Sequence, residues 1–200
     1  MDICNQQNKE FYQQEFKSLD LNGQILSGKT FDKCQLIECD FTQAQLIDCQ
    51  FIDCQFIKSN LSVVKLNQSR FLDVIFESCK TIGIDWTIAS WPNIALCSPI
   101  KFHNSILNDS IFFGLELAEL VIKDCKVYEV DFREANLERA DFSGCDLNGS
   151  LFNETNLSAA DFTDATNYAI DFKYNRISGA KFNRYEAIRL LDSLDITLVD

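Results

Sequence analysis

The chain has 200 residues, of which 46% are hydrophobic, and a formal net charge of −12. This composition allows a real core in one or two domains. The charge is uneven: residues 1–100 hold 12 acidic and 8 basic residues (−4), whereas residues 101–200 hold 18 and 10 (−8). Such a chain disfavours direct contact with nucleic acid or acidic membranes. A macromolecular partner is therefore expected to offer a basic surface.

The N-terminal stretch, MDICNQQNKEFYQQEF, lacks the basic end and apolar run of a signal peptide. No apolar run approaches the ~18 residues of a spanning helix, so no membrane association is expected. In that setting the nine cysteines indicate free thiols in a reducing compartment. The sequence predicts a cytoplasmic protein.

A five-residue repeat runs through almost the whole chain. A bulky apolar residue, here called the centre, recurs from Phe11 to Leu96 in 17 of 18 positions. After a slip of one residue it recurs from Phe102 to Phe182 in 16 of 17 positions. Sixteen of the 17 phenylalanines are centres, and Phe113 is the exception. A helix repeats at 3.6 residues and a strand at 2, so neither explains the pattern.

Two further positions of the repeat are restricted. The small position, two residues before the centre, holds Cys, Ser or Ala in most repeats. The preceding position, just before the centre, is often Asp or Asn. We therefore expect two of every five residues to point inward, one bulky and one small, because a narrow interior must be tightly packed.

If each repeat forms one side and a turn, four consecutive repeats close one square coil. Stacked coils would pair their backbones at ~4.8 Å, with residues i and i+20 above one another. The prediction is an all-β solenoid, roughly 40 Å long at strand spacing. Two phenylalanine columns are expected, one of Phe31, Phe51 and Phe71 and one of Phe112, Phe132, Phe152 and Phe172.

The repeat is disturbed within residues 81–101. Thr81 takes a centre position, two tryptophans follow at later centres, and the slip falls near 97–101. One extra residue near Cys97, Ser98 and Pro99 is expected to bulge the coil outward. It is either a tolerated insertion or a loop that contacts a partner, since functional residues concentrate on loops.

The tail, residues 183–200, is expected to form a short helix after the repeat region of residues 1–182. Asn183 can cap it, with Glu186 as the capping-box partner. The apolar stripe comprises Ala187, Ile188, Leu190, Leu191 and Leu194. The helix would cover the open end of the stack, either as a simple cap of a monomer or as a dimerisation element, with Ile196 and Leu198 pairing with a second copy.

Carboxylates recur at the coil spacing, which predicts acidic rows along the outside. The two members of each pair stand one coil apart: Asp20/Asp40, Asp53/Asp73, Asp109/Glu129, Glu134/Glu154 and Asp141/Asp161. The rows are either a solvated face or a binding surface for a basic partner. B-DNA carries about one charge per 1.7 Å, so the rod would be of the same sign but less dense.

Catalysis is not expected. The chain has one histidine, His103, so neither a Ser/His pair nor a His-based metal site is expected, and no Gly-rich phosphate loop is present. Cysteine spacings of five and ten do not match zinc sites. The cysteines are interpreted as small buried fillers, and neither a cofactor nor a metal is expected.

The stretch VDFREANLERADFSGCDLNGSLFNETNLSAADF, Val130–Phe162, resembles the pentapeptide-repeat family. That resemblance implies a right-handed quadrilateral β-helix. The chain is most similar to the group that protects bacterial type II topoisomerases: the Qnr proteins, MfpA, McbG and AlbG. The segments DWTIASWPN and LNDSIFFGLELA look closest to AlbG, and the tail resembles that of Qnr proteins, which implies a homodimer joined at the C-termini. The chain lacks the two longer loops of Qnr proteins.

The resemblance implies a mimic of DNA that binds DNA gyrase or topoisomerase IV and protects it from a quinolone or a peptide toxin such as albicidin. The alternative is an interaction scaffold for another basic partner. The candidate partner-binding residues are Asp109, Glu129, Glu134, Glu154, Asp141, Asp161, Trp91, Pro92, Asn93, Cys97, Ser98 and Pro99. The candidate dimerisation residues are Ile188, Leu190, Leu191, Leu194, Ile196 and Leu198.

Overall fold

The computed structural model describes residues 3–4, 8–91, 99–194 and 196–197. The chain forms a parallel β-solenoid of about eight four-sided coils, followed by one short helix. The repeat fixes this architecture because each fifth residue is buried at 0–7% exposure along most of the chain. The predicted all-β solenoid is therefore confirmed.

Short strands form the walls of the solenoid. In the first half they are β1 (Glu10–Tyr12), β2 (Glu15–Lys17), β3 (Ile25–Ser27), β4 (Thr30–Asp32), β5 (Gln35–Ile37), β6 (Gln45–Ile47), β7 (Gln50–Ile52), β8 (Gln55–Ile57), β9 (Arg70–Leu72) and β10 (Val74–Glu77). The second half adds β11 (Ile100–His103), β12 (Val121–Lys123), β13 (Asp161–Phe162) and β14 (Lys181–Phe182). In the described ranges two 3₁₀ helices occur, Trp86–Ile88 and Glu186–Leu194.

Four walls follow one another along the chain, and each is named by its first centre: wall 1 by Phe11, wall 2 by Phe16, wall 3 by Leu21 and wall 4 by Leu26. Wall 1 contains the sheet β1-β4-β7-β9, and wall 2 contains β2-β5-β8-β10-β11-β12 and the pair β13-β14. Wall 4 contains the pair β3-β6. All these pairs are parallel, and Phe11 aligns with Phe31, which aligns with Phe51. The predicted register of i with i+20 is therefore confirmed.

Columns of aromatic rings fill the interior. On wall 1 the ring centroids of Phe31 and Phe51 lie 5.0 Å apart and those of Phe51 and Phe71 lie 5.4 Å apart, both stacked. On wall 4, Phe132 stacks on Phe112 at 5.3 Å and on Phe152 at 5.2 Å. Some rings on adjacent walls meet edge to face, the other arrangement that aromatic pairs prefer, as Phe11 and Phe16 do at 5.4 Å.

The small position carries hydrogen bonds as well as filling space. At the corner between walls 2 and 3, the Cys39 N–H donates to Ser59 Oγ at 3.0 Å and the Cys79 N–H donates to Ser105 Oγ at 2.9 Å. The Ser105 hydroxyl in turn donates to the Phe76 carbonyl at 3.1 Å. Thiols fill the same role, since the Ser105 N–H donates to Cys125 Sγ at 3.3 Å. Interpreting the cysteines as apolar fillers was therefore incomplete.

The buried cysteines among the described residues are free thiols, and the half-buried Cys4 donates to Gln24 Oε1 at 3.2 Å. Burial raises the pKa of the Cys54 and Cys79 thiols to about 12. The hydrogen bond with Cys125 and burial both raise the pKa of the Cys145 thiol. These groups stay protonated near neutral pH, which suits their role as hydrogen-bond donors to carbonyls.

The coils turn at their corners through left-handed backbone. Two residues after a centre, φ is positive in 22 non-glycine residues and seven glycines of the described chain. Asn167, which has a positive φ at a centre, is the 23rd non-glycine residue. Non-glycine residues adopt this region at a cost, and Asp and Asn do so more readily than most. The corner position, as it is called below, was not recognised in the sequence, because its residue types vary.

The preceding position decides how some walls are built. The Asp40 side chain accepts a hydrogen bond from the Thr42 N–H at 2.8 Å, and Asn60 accepts one from the Ser62 N–H at 3.1 Å. Such a side chain closes a turn around its own centre residue, in the manner of an Asx-turn. The preference for Asp and Asn at this position thus has a local cause.

The disturbed coil is larger than predicted. Val74 pairs with Ile100, and residues one coil apart here, such as Cys79 and Ser105, differ in number by 26. In a regular coil the difference is 20, as between Gln35 and Gln55. The disturbed coil therefore has six extra residues, one repeat plus one, and not a single one. The stack continues regardless, since the Phe76 and Phe102 ring centroids lie 4.9 Å apart.

Thr81 occupies its centre in the disturbed coil as a buried polar residue. Its hydroxyl donates to the Ile106 carbonyl at 3.1 Å. A polar centre is therefore accommodated here because the side chain finds a hydrogen-bond acceptor in the next coil.

The last coil departs from the expected phenylalanine column. Phe172 is 38% exposed, and Ile170, two residues earlier, pairs with Phe152 instead. Tyr168 is buried in place of the centre Asn167, and its ring centroid lies 5.8 Å from that of Phe162. The prediction for Phe172 was wrong because a polar centre, Asn167, is replaced by the adjacent ring, which shifts the residues that follow.

The C-terminal helix sits on this last coil. The Asn183 side chain accepts from the Tyr185 N–H at 3.0 Å, so it caps the helix as predicted. Glu186, the expected capping-box partner, instead pairs with Arg189 at 2.7 Å. Arg189 also donates to Asn167 Oδ1 at 3.3 Å, which ties the helix to the stack.

Candidate partner-binding surface

The predicted acidic residues occupy two different positions of the repeat. Asp109, Glu129, Glu134 and Glu154 are exposed corner residues, with φ between 55° and 60°. The carboxylates within each pair belong to adjacent coils, because the Asp109 N–H bonds the Tyr128 carbonyl and the Glu134 N–H bonds the Asn153 carbonyl. Each pair therefore forms a short row parallel to the rod axis.

These two rows border the same wall. Asp109 and Glu129 precede wall 4 in their coils, and Glu134 and Glu154 follow it. The sequence pairs them separately, and only the coil order shows that they flank the wall defined by Phe112, Phe132 and Phe152. The Glu129 carboxylate lies against Gly149, so a side chain at Gly149 would displace this carboxylate.

Asp141 and Asp161 lie elsewhere, on wall 2, at the preceding position. They pair across adjacent coils, and their side chains accept from the Ser143 and Thr163 N–H groups, each at 2.9 Å. Asp161 also pairs with Lys181 at 2.9 Å. The hydrogen bond from Thr163, with the bonds to the backbone and to Lys181, lowers the pKa of Asp161 to about 2. These carboxylates thus have structural roles within the chain.

The mid-chain candidates are only partly described. The half-buried Trp91 packs 6.3 Å from Trp86, between ring centroids, and its Nε1 donates to the Trp86 carbonyl at 2.9 Å. Pro99 is buried, and its carbonyl accepts from the Val74 N–H at 3.0 Å. Trp91 and Pro99 therefore contribute to the stack itself. The other mid-chain candidates, which lie outside the described residues, are Pro92, Asn93, Cys97 and Ser98.

The candidate dimerisation residues are spread over the C-terminal helix and the segment after it. Ile188 is 51% exposed and Ile196 is 54% exposed. The three leucines of the helix, Leu190, Leu191 and Leu194, are half-buried. Of these, Leu190 packs against the core. Leu198 lies outside the described residues. The helix therefore covers part of the end of the stack and leaves apolar side chains exposed.

One surface feature was missed in the sequence. Ile111, Phe113 and Leu151 are exposed on wall 4, between the two acidic rows. In the sequence, this exposed apolar surface could have been predicted from Phe113, the one phenylalanine that is not a centre. Since the repeat places it just after Phe112, its side chain has to point outward.

The described residues offer little for other chemistry. No group of three His, Cys, Asp or Glu side chains in these ranges could hold a metal ion. Nor do the described helices include one long and apolar enough to cross a membrane.

The repeat is also found by comparison with known proteins. A family model described as "Pentapeptide repeat region" matches residues 29–97 and 84–162, which together span more than half of the chain. The chain belongs to the pentapeptide-repeat family. Among curated proteins, none matches it in sequence.

Solved pentapeptide-repeat structures share the fold. Two are trypsin-treated variants of QnrB1, described as "a plasmid-mediated fluoroquinolone resistance protein". One is 22% identical, with a TM-score of 0.51, and the match covers 96% of this chain and 92% of that one. The other is 20% identical, with a TM-score of 0.56, and the match covers 92% and 100%. At these identities the likeness establishes the fold alone.

Proposed function

We propose that this pentapeptide-repeat protein binds DNA gyrase or topoisomerase IV and protects the enzyme from a poison such as a quinolone or a peptide toxin like albicidin. It would act by binding and not by catalysis. The observation that supports this most is the pair of exposed carboxylate rows on a rigid rod whose net charge is −12. QnrB1, which shares the fold, is described as a fluoroquinolone resistance protein.

The charge geometry suits a surface that normally holds DNA. Successive coils place the backbone positions that carry these carboxylates about 4.8 Å apart along each row. Duplex DNA carries about one charge per 1.7 Å, counting both strands. Two parallel rows, separated by one wall, therefore offer a sparser charge distribution of the same sign. Protection could come either by competing with DNA or by destabilising the poisoned complex, and both routes need this contact.

Dimerisation through the tail would extend the acidic rod. Exposed Ile188 and Ile196 at the end of the stack support an interface between two C-termini, and such a dimer would be roughly 80 Å long, twice the single rod. We expect the double substitution of Ile188→Glu with Ile196→Glu to halve the mass measured by light scattering. An unchanged mass would refute this role of the tail, and Arg184→Glu, an exposed change outside the apolar stripe, is the control.

A supercoiling assay tests the proposed function. Gyrase is incubated with relaxed plasmid, with and without a quinolone, and titrated with the protein. We expect rescue of supercoiling in the presence of the poison, or inhibition at high ratio in its absence. Neither effect at any ratio would reject the proposal for gyrase, and topoisomerase IV decatenation is the parallel assay.

Charge-matched variants locate the contact. Glu134→Gln with Glu154→Gln removes two charges from one row, and we expect roughly tenfold more protein to be needed for the same effect. Asp48→Asn with Asp53→Asn also removes two exposed charges, but from the other half of the rod. Equal losses in the two variants would show that only total charge matters.

An interaction scaffold for a different basic partner is the second candidate. The exposed side chains of Ile111, Phe113 and Leu151 favour it, because a pure imitation of phosphate rows has no use for an aromatic group there. The same titration decides between the two, since a scaffold for another partner would leave both topoisomerases unaffected.

A further inference from the structure

The exposed apolar side chains on wall 4 lie in two coils of the second half of the rod, with Asp131 and Arg133 in the coil between them, and the outer face of these three coils is called the strip. Ile111 is 38% exposed, Phe113 40% and Leu151 46%. Ile111 and Leu151 both pair with Asp131, one coil below and one above it. The strip thus spans three adjacent coils, about 10 Å along the axis.

An arginine completes the strip without making it basic. The Arg133 guanidinium lies 5.9 Å from the centre of the Phe113 ring. It donates to both oxygens of Asp131, at 2.9 and 2.7 Å, so its charge is neutralised within the wall. The flat guanidinium and the ring together present a surface suited to apolar contact.

A hollow of about 300 Å³ opens at the upper end of the strip, lined by Arg133, Leu151, Asn153 and Ala169, among others. It follows from the irregular last coil, which pairs Ile170 with Phe152 and leaves the small Ala169 side chain beside Leu151. A single apolar side chain of a partner has a volume that such a hollow can accept.

The borders of the strip define which partner fits. Asp109 and Glu129 line one border, and Glu134 and Glu154 line the other. A binding segment must therefore be apolar along its middle and basic on both sides. Nucleic acid and acidic membranes are disfavoured by this charge arrangement.

The spacing of the carboxylates favours an α-helix over an extended segment. Successive coils are about 4.8 Å apart, close to the 5.4 Å pitch of a helix. Lysines at i and i+3 or at i and i+4 on a helix parallel to the rod lie about 4.5 or 6.0 Å apart along its axis, so that each would meet one carboxylate of a row. Alternate residues of a strand lie about 6.8 Å apart and would fall out of step.

We propose that wall 4, from Ile111 to Leu151, is a docking site for an amphipathic helix with an apolar stripe bordered on both sides by Lys or Arg. The inference rests on the proposed function for the identity of the partner, namely a surface helix of the topoisomerase. It names the structural element that would be recognised.

The wall can be tested apart from the topoisomerase. The probe is a fluorescent synthetic helix with a leucine stripe and lysines at i and i+4 on both borders, and its binding to the full chain is followed by anisotropy. We expect saturable binding that Phe113→Ser and Leu151→Ser each weaken about tenfold. Ile25→Ser is the matched control, because Ile25 is 54% exposed at the other end of the same wall.

Two further measurements make the test decisive. A peptide with glutamates in place of the lysines should not bind, and equal weakening by Ile25→Ser would mean non-specific attraction and overturn the proposal. If Phe113→Ser lowers the mass of the protein by light scattering, the wall is an interface between copies of this chain, which also overturns it.

The supercoiling assay separates this inference from the proposed function. If the unaltered chain rescues supercoiling and Phe113→Ser rescues it equally well, the docking site on wall 4 is rejected. The proposal that the chain protects a topoisomerase is then unaffected. Peptide binding with the expected variant pattern, but without any effect on either topoisomerase, supports the wall and rejects the topoisomerase as its partner.

Discussion

The two halves of the solenoid build their walls differently, although both fill the interior with the same columns. Of the fourteen strands in the described residues, ten lie before residue 78. Gln35, Gln50 and Gln55 hold the preceding position in three of these strands. In the second half Asp131, Asn136 and others take that position, and most walls there are turns that pair through single bridges.

The length of one side chain accounts for much of this difference. The Asn156 oxygen reaches the Ser158 N–H at 3.2 Å and closes a turn. Glutamine is one methylene longer, and the Gln35 amide instead donates to Gln55 in the next coil at 3.3 Å. The turn-walled half is also the more acidic half, and part of its charge belongs to aspartates that close turns, such as Asp131, Asp141 and Asp161. Acidity alone is then a poor guide to a binding surface, and the corner carboxylates are the better candidates.

Loss of a column ring should have the largest effect and should be equal in the two halves. Phe132→Ala, in the turn-walled half, and Phe51→Ala, in the strand-walled half, each remove a ring stacked on both sides. We expect each to lower the free energy of unfolding by about 3–5 kcal/mol. Urea unfolding measures this, and a clearly smaller loss at Phe132 would show that the turn-walled half packs less tightly.

The hydrogen bonds of the small position come next in size. Ser105→Ala leaves the buried Cys79 N–H without its acceptor, which should cost about 1–3 kcal/mol in the free energy of unfolding, measured in urea. Ser105→Cys is the control, because thiols accept the equivalent bond elsewhere in this column, and it should be milder. Equal losses would mean that volume, and not the hydrogen bond, sets the effect.

The turn-closing side chain gives a smaller effect that separates the halves directly. Asn156→Ala should destabilise the chain by about 1 kcal/mol, since a hydrogen bond of the turn is lost. Gln55→Ala, on a strand wall, should change the unfolding free energy by less. Thermal unfolding of both variants tests this, and the reverse order would contradict the proposed role of the preceding position.

The smallest expected effect concerns acid stability. The folded chain holds the Asp161 pKa at about 2, below its ordinary value of 3.8. Its contribution is therefore present above pH 4 and is lost as the pH falls through 2. Asp161→Asn should lower the stability near pH 7, where the charged carboxylate contributes, leave it little changed near pH 2, and so make unfolding less pH-dependent between 4 and 2. A pH slope identical to that of the unaltered chain would remove Asp161 as a cause.

The repeat alone predicts most of this fold. Five-residue spacing of the phenylalanines implies four-sided coils, and the Phe31 and Phe51 rings do stack. The hydrogen-bonding role of the small position is harder to foresee, since Ala, Ser and Cys fit it equally by size. The positive φ of the corners leaves no residue signature, as Val63 and Glu134 both adopt it.

The features that the sequence did not predict have a common physical origin. A periodic count reveals phase but not the number of repeats skipped, so an excess of six residues looks like one. Likewise, the polar residue Asn167 at a centre indicates that its coil is irregular. It does not indicate that Tyr168 and Ile170 will fill the interior of that coil. The acidic rows are visible as pairs in the sequence, whereas their position on two borders of one wall needs the order of the coils.

The enlarged coil has a consequence for how this architecture can diversify. Phe76 and Phe102 remain in contact although their coil contains a whole additional repeat and one further residue, so this contact does not depend on the number of residues in the coil. Because the entropy of closing a loop rises only slowly with its length, longer or shorter excursions at this place should be tolerated. At this place, related proteins can differ in the length and sequence of a recognition segment while the structure of the rod stays the same.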